Sequence, residues 1–276
     1  MSYRTHEKLL PRPVIGDLTT LCQSHGTPLE AHHDGQLPTL VLAHQARQVG
    51  YVRRFNVLVV CRARLAQARI KANYVRYSRV GTSGGIAGAQ VARALLDARG
   101  LQGVQIESTP GMLSDHYDPQ SKTLRLSPEV YYTPSLAAAG IAAHETGHAL
   151  QDAAGYLPLK ARSLIVPAVQ LSAKVAPWFF IAGVLFGANS LAWAGVILFG
   201  AQTLFTLITL PVEFDASARA QQLLVSQGII RGEQQVEGIE KVLGAAAWTY
   251  VAGAVSSVGS FLYVAYIVYS MVRRNG

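Results

Sequence analysis

The chain has 276 residues, half of them apolar and 14% charged, with a formal net charge of +8. That length allows one or two domains, and two distant cysteines, Cys22 and Cys61, exclude a disulfide-built scaffold. The positive charge does not make a nucleic-acid binder, because no binding fold and no aromatic-interleaved basic stripe accompanies it.

Residues 1–63 hold most of the histidines and both cysteines, but no periodic apolar pattern and no signal-peptide pattern. They read as an atypical N-terminal extension, either disordered or outside the true reading frame. His32, His33 and His44 lack the paired spacing of a second metal site. Residues 57–61 are apolar but far too few to cross a bilayer. The basic run that follows, Arg62, Arg64, Arg69, Lys71, Arg76 and Arg79, reads as the cytoplasmic flank of membrane segments.

Residues 81–85 form a glycine-rich loop leading into a helix with Ile86, Val91, Leu95 and Leu96 on one side, closed by Gly100. No P-loop lysine follows, so the glycines mark a loop and not a phosphate cradle. Residues 104–107 and 122–127 alternate like strands, with a turn at 118–121. The second strand runs directly into the next helix. At a sheet edge it would dock extended peptide by strand addition; a purely structural hairpin explains it nearly as well. His116, Tyr117 and Arg219 are polar candidates for hydrogen-bonding a reacting carbonyl oxygen, although His116 suits a turn or core position better than a ligand role.

Thr133, Pro134 and Ser135 signal a helix start, and the Ala-rich residues after them carry helical pattern to a stop near Gly155. Inside lies His144-Glu145-Thr146-Gly147-His148. Histidines four apart sit one turn above each other on a single helix face. Both can reach one tetrahedral metal, at about 2.0–2.1 Å each. Glu145 then stands beside the metal's open position, where it can take a proton from water. Gly147 costs about 1 kcal/mol relative to alanine in a helix, which predicts that a crossing helix packs close at that turn.

Residues 175–212 contain no charged side chain. The turn signal Gly187-Ala188-Asn189-Ser190 divides them into a transmembrane hairpin over 175–211, since each span needs about 20 apolar residues. Trp178 and Trp193 suit interfacial depth. The absence of ionisable residues in these spans argues against a metal transporter. A second charge-free run, 242–272, is rich in small residues that favour close helix packing in lipid, and ends at Arg273-Arg274. Tyr263, Tyr266 and Tyr269 gather toward its basic end.

A catalytic zinc keeps three protein ligands, and no histidine follows His148. The candidates are Glu213 and Asp215, in a helix expected to emerge from the hairpin over 212–241. They lie about 200° apart around a helix and cannot easily share the role; Glu213 is preferred. Both would also suit a helix N-terminus through the macrodipole alone. A two-span hairpin returns the chain to the side it left, so His148 before it and Glu213 after it face one compartment.

Five stretches in order carry a resemblance: Tyr77-Ser78-Arg79-Val80, residues 113–119, residues 124–131, residues 143–152 and residues 210–217. Through them the chain resembles the membrane-bound neutral zinc metallopeptidases of the YugP type and, more distantly, the HtpX-like gluzincins. The resemblance covers about residues 66–272. It implies a zinc endopeptidase with several membrane spans and Glu213 as third ligand. In those relatives an aspartate four residues after the glutamate supports a ligand histidine; here that position is Ser217, so the support must differ.

The expected molecule is an α-helical multi-span membrane protein with a small α+β zincin-like catalytic part over 64–174. Its metal ligands are His144, His148 and Glu213, with one catalytic Zn²⁺, and its general base is Glu145. Its partners are a protein or peptide substrate and the lipid bilayer, with no nucleic acid. The basic flanks predict a bacterial plasma-membrane protein with a cytoplasmic active site, although Arg273-Arg274 oppose that orientation. The alternative is a catalytically inactive membrane scaffold with a retained zinc site.

Overall fold

The computed structural model describes residues 61, 64, 65 and 67–275. Cys22, His32, His33 and His44 lie outside the described residues, as does nearly all of the extension; Cys61 is an exposed free thiol.

The α+β layer starts with α1, residues 67–77, and the loop 78–87. Then come α2 (Gly88–Asp97), β1 (Gln105–Ser108), β2 (His116–Asp118), β3 (Thr123–Leu126), α3 (Pro128–Tyr131) and α4 (Leu136–Ala153). The sheet order is β1-β3-β2, with β1 parallel to β3 and β2 antiparallel to it. Thus the two strands read from alternation pair in parallel and do not form a hairpin. Strand β3 is central, so it is not the edge that could dock a peptide. The intervening β2 is only three residues long, too short to show alternation, and it supplies the edge instead. Leu124 and Leu126 of β3 pack with Leu96, Val104 and Val130 between the sheet and α2.

Helix α4 begins where its cap chemistry puts it. Ser135 Oγ accepts from the Ala138 N–H at 3.2 Å, satisfying one of the free donors of the first turn. Its end is followed by Gly155 at φ +67°, a left-handed conformation that favours glycine. The alanines let neighbours approach on almost every side, and α4 is buried along most of its length. A Cβ at Gly147 would lie 2.6 Å from the Ala216 carbonyl oxygen, so a crossing helix does pack against this turn. A core of Leu95, Leu136, Leu223, Leu224 and Ile239 joins α2 and α4 to the helices that follow.

Among the described residues, three helices are long and apolar enough to cross a membrane: α5 (Leu157–Leu185), α6 (Asn189–Ser226) and α7 (Glu233–Asn275). The turn between α5 and α6 is at Gly187, φ +65°. Each helix outruns the charge-free stretch that announced it. Helix α5 begins at Leu157, well ahead of the charge-free residues from 175 onward. The polar segment after 211 is the second half of α6, and the division at 241/242 falls inside α7. Charges mark where lipid ends, but the helix continues into water. Pro211 does not interrupt α6; it removes only its own N–H from the helical ladder.

Close packing in this layer falls on the hairpin. A Cβ at Gly183 would run into the Ala192 backbone, and one at Gly195 would lie 2.7 Å from Phe180 N. On α7, Gly244 and Gly253 meet nothing within 4 Å, so its small residues do not all serve tight contacts. Its docking on α6 uses Phe261 against Gly200 and a Ser257–Thr203 hydroxyl bond of 2.9 Å. Ala192, Val196 and Val268 cluster together, which places the end of α7 beside the start of α6. Trp178, Trp193, Tyr266 and Tyr269 therefore gather at the hairpin-turn end, away from Glu213. From Trp193 to Glu213 is about 30 Å of helix, the thickness of a hydrocarbon core.

Candidate metal centre

Helix α4 presents His144 and His148 on one face, and α6 crosses it with Glu213 opposite. Glu213 Oε2 lies 3.1 Å from His144 Nε2 and 3.7 Å from His148 Nε2. One ligand atom from each of the three falls within 4.8 Å of the others. Among the described residues this is the one group of three or more such side chains able to hold a metal. Glu213 is almost fully buried, which an acidic side chain tolerates only with partners.

The far side of each imidazole is also held. His148 Nδ1 donates to Gln151 Oε1 at 3.0 Å. Gln151, with no exposed surface, donates in turn to the Val212 carbonyl and to Asp215 Oδ2, each at 2.8 Å. Arg219 fixes Asp215 at 2.6 Å. His144 Nδ1 lies 3.1 Å from Ser217 Oγ. Hydrogen bonds at Nδ1 orient each ring and leave Nε2 for a metal. Two imidazoles and one carboxylate with their Nε2 and Oε2 atoms converging are a donor set that fits catalytic zinc. Arg162, near the start of α5, donates to Glu213 Oε1 at 3.0 Å and leaves Oε2 facing the histidines.

The electrostatics favour positive charge at this point. Burial presses His148 toward its neutral form, but the Glu213 and Glu145 carboxylates outweigh it and hold its pKa above the ordinary histidine value. The same field would attract a cation.

A cleft of about 330 Å³ opens over the group, lined by β2, the first turns of α5 and Tyr250 of α7, with Glu145 in its wall. Asp115 lies at its edge and accepts from the Ser127 N–H at 2.8 Å, tying the approach to β2 to the start of α3. Burial raises the Asp115 pKa despite the Ser127 hydrogen bonds. Another cavity, about 760 Å³, lies over α2 and Tyr131–Tyr132, but its Arg93 is already bonded to Asp97 and to two backbone carbonyls.

The three polar candidates part company here. His116 and Tyr117 line the cleft, whereas Arg219 is not in its wall. His116 Nδ1 donates to the Ser114 carbonyl at 2.8 Å, so its other ring nitrogen is the available one. Tyr117 donates its hydroxyl to Asp152 at 2.8 Å; burial, with that carboxylate, raises its pKa well above the ordinary phenol range. Gln151, Arg162 and Tyr250 went unnoticed in the sequence. Gln151 had a signal, a polar residue three positions after His148 on the same face. Arg162 and Tyr250 had none, because they reach the cleft only through the crossing of α5 and α7.

A family model described as "Putative neutral zinc metallopeptidase" matches residues 54–269. The curated "Putative membrane protease YugP" of Bacillus subtilis (strain 168) is 48% identical over 197 residues, which is 71% of this chain and 87% of that one. No solved structure matches the chain.

Proposed function

From the fact that this chain belongs to the neutral zinc metallopeptidase family, we propose that it is a membrane-bound, zinc-dependent endopeptidase with His144, His148 and Glu213 as metal ligands and Glu145 as general base. The observation that carries the reading is the convergence of those three side chains beneath a cleft that has Glu145 in its wall. A zinc ion there would supply Lewis acidity toward the scissile carbonyl and lower the pKa of its water to about 7. Glu145 takes that water's proton and hands it to the leaving amine. Gln151 and Ser217 keep the imidazoles turned with Nε2 inward. Arg162 holds Glu213 by one oxygen, so the other serves as ligand. The free edge of β2 lines the cleft and offers backbone groups to an extended peptide.

The reading places the cleft at the cytoplasmic face of a bacterial plasma membrane. In support, Asn73 of α1 donates to the Lys241 carbonyl at 2.9 Å, bringing the basic α1 to the same end of α7 as the metal group. That gathers Lys71, Arg76, Lys160 and Lys241 at this end, against Arg273 at the other.

The test is casein cleavage by detergent-purified protein, with zinc content measured in parallel. Wild type should cut casein and stop when chelated. Glu145→Gln should keep stoichiometric zinc and lose at least about 10²-fold in turnover. A protein that holds zinc but leaves casein intact would be the inactive scaffold instead.

A further inference from the structure

Strand β2 has three residues, each paired with one on β3, and its other edge is free. So short a ladder does little to fix a strand in place. Yet β2 lines the cleft along its whole length, together with Glu145 and the metal group. Its position needs an anchor beyond its own pairing.

Two side chains provide one, and both end on a single oxygen atom. Tyr117, at the centre of β2, donates its hydroxyl to Asp152 Oδ2 at 2.8 Å. Lys122, directly before β3, donates to the same Oδ2. Asp152 stands in the last turn of α4 with its side chain 17% exposed. Its neighbour Gln151 holds His148 and the Val212 carbonyl of α6. Adjacent side chains of one helical turn therefore grip a histidine of the metal group and the strand that borders the cleft.

The backbone at Lys122 points the same way. Its φ is +50°, a left-handed conformation that glycine adopts without steric cost and lysine does not. An ion pair with so exposed a lysine adds little stability. Stability alone does not account for lysine at this turn. Strain of this kind persists at functional sites, where the surrounding structure imposes it. Here it delivers a cation to Asp152.

We infer that Asp152 is a positioning residue that, through Tyr117 and Lys122, sets the free edge of β2 relative to the metal group. The inference rests on the peptidase reading for what that edge docks. A peptide paired with β2 has its scissile carbonyl placed by the strand, and the strand is placed by Asp152. Asp152 itself does not line the cleft. Loosening it misplaces the peptide and leaves the metal where it is.

The test uses zinc-loaded full-length protein in detergent and two zinc-binding probes, a phosphinic pseudohexapeptide of alanines and its pseudodipeptide core. Affinities are measured by calorimetry, without turnover. Wild type should bind the long probe about tenfold or more tighter, because only that probe has arms to pair with β2. Asp152→Ala should bring the ratio to about one, with zinc content and affinity for the short probe retained. Tyr117→Phe and Lys122→Met each remove one bond. Each should reduce the ratio part of the way, and neither should add to the loss in Asp152→Ala. Asp152→Asn keeps an oxygen for Tyr117 and should fall between Asp152→Ala and wild type. A merely structural aspartate would lower the melting temperature and leave the ratio alone. A ratio of one in wild type, a ratio unchanged in Asp152→Ala, or an equal loss for both probes would overturn the inference. Should Asp152→Ala fail to fold, the two single-bond variants decide by the same ratio. An Asp152-dependent ratio in a protein that never cuts casein would leave the positioning role standing and sink the peptidase reading. Casein cleavage with an Asp152-independent ratio would do the reverse.

Discussion

Leu124 and Leu126 in the α+β layer are wholly buried, whereas Trp178 and Phe186 in the membrane layer are 70% and 81% exposed. The same kind of residue answers to two solvents. In the first layer an apolar side chain is one that water drives inward. In the second it faces lipid, where burial between helices brings no comparable gain. Cohesion there comes from backbone proximity at Gly183 and Gly195 and from polar links such as Ser257–Thr203. The proposed metal group belongs to both layers, with two histidines from α4 and a glutamate from α6.

The largest expected effects test that joint ownership. His144→Ala, His148→Ala and Glu213→Ala should each lose stoichiometric zinc, read by elemental analysis of the purified protein. If Glu213→Ala kept its zinc and Asp215→Ala did not, the ligand from α6 would be the wrong carboxylate. Next comes the support that crosses between layers. Gln151→Leu removes the bond to His148 and both bonds to α6. It should weaken zinc by about 10–100-fold in chelator competition, while a merely structural glutamine would change only the melting temperature.

Smaller effects compare packing. Gly147→Ala forces a methyl group toward the Ala216 carbonyl, and Gly183→Ala does the same against Ala192. Each should cost roughly 1–3 kcal/mol by overpacking, seen as a lower melting temperature in detergent. Only Gly147→Ala should also lower zinc affinity, since only it separates α4 from α6. Ser135→Ala should be mildest, about 1 kcal/mol for a lost helix cap, confined to stability. A Ser135→Ala variant that lost zinc would show that the cap positions the histidines and does not merely stabilise the helix.

What could be read from the chain followed the same division. Helix α4 was legible to within a residue or two because Ser135 and Gly155 are local signals at its ends. The start of α6 was legible from the turn signal at 187–190; its continuity through Pro211 was not, because the charges near Glu213 report a change of solvent, not of backbone. Gly147 disclosed a crossing helix, since a glycine within a helix needs a reason. Strand β2 stayed hidden because three residues give no period. Arg162 and Tyr250 stayed hidden because no spacing along α5 or α7 encodes how those helices cross α4.

Helix α6 is one uninterrupted rod from lipid to cleft. About 30 Å of it separates the Trp193 ring from Glu213, which matches an average bilayer with nothing to spare. A membrane a few ångströms thinner leaves the rod longer than the hydrocarbon layer, and tilting takes up the excess. Tilt would turn α6 against α4, where Glu213 faces the two histidines with its carboxylate 3.1 and 3.7 Å from their rings. On the proposed zinc reading, lipid chain length thereby becomes a variable of coordination geometry, and a metal affinity measured in one detergent need not equal the affinity in another.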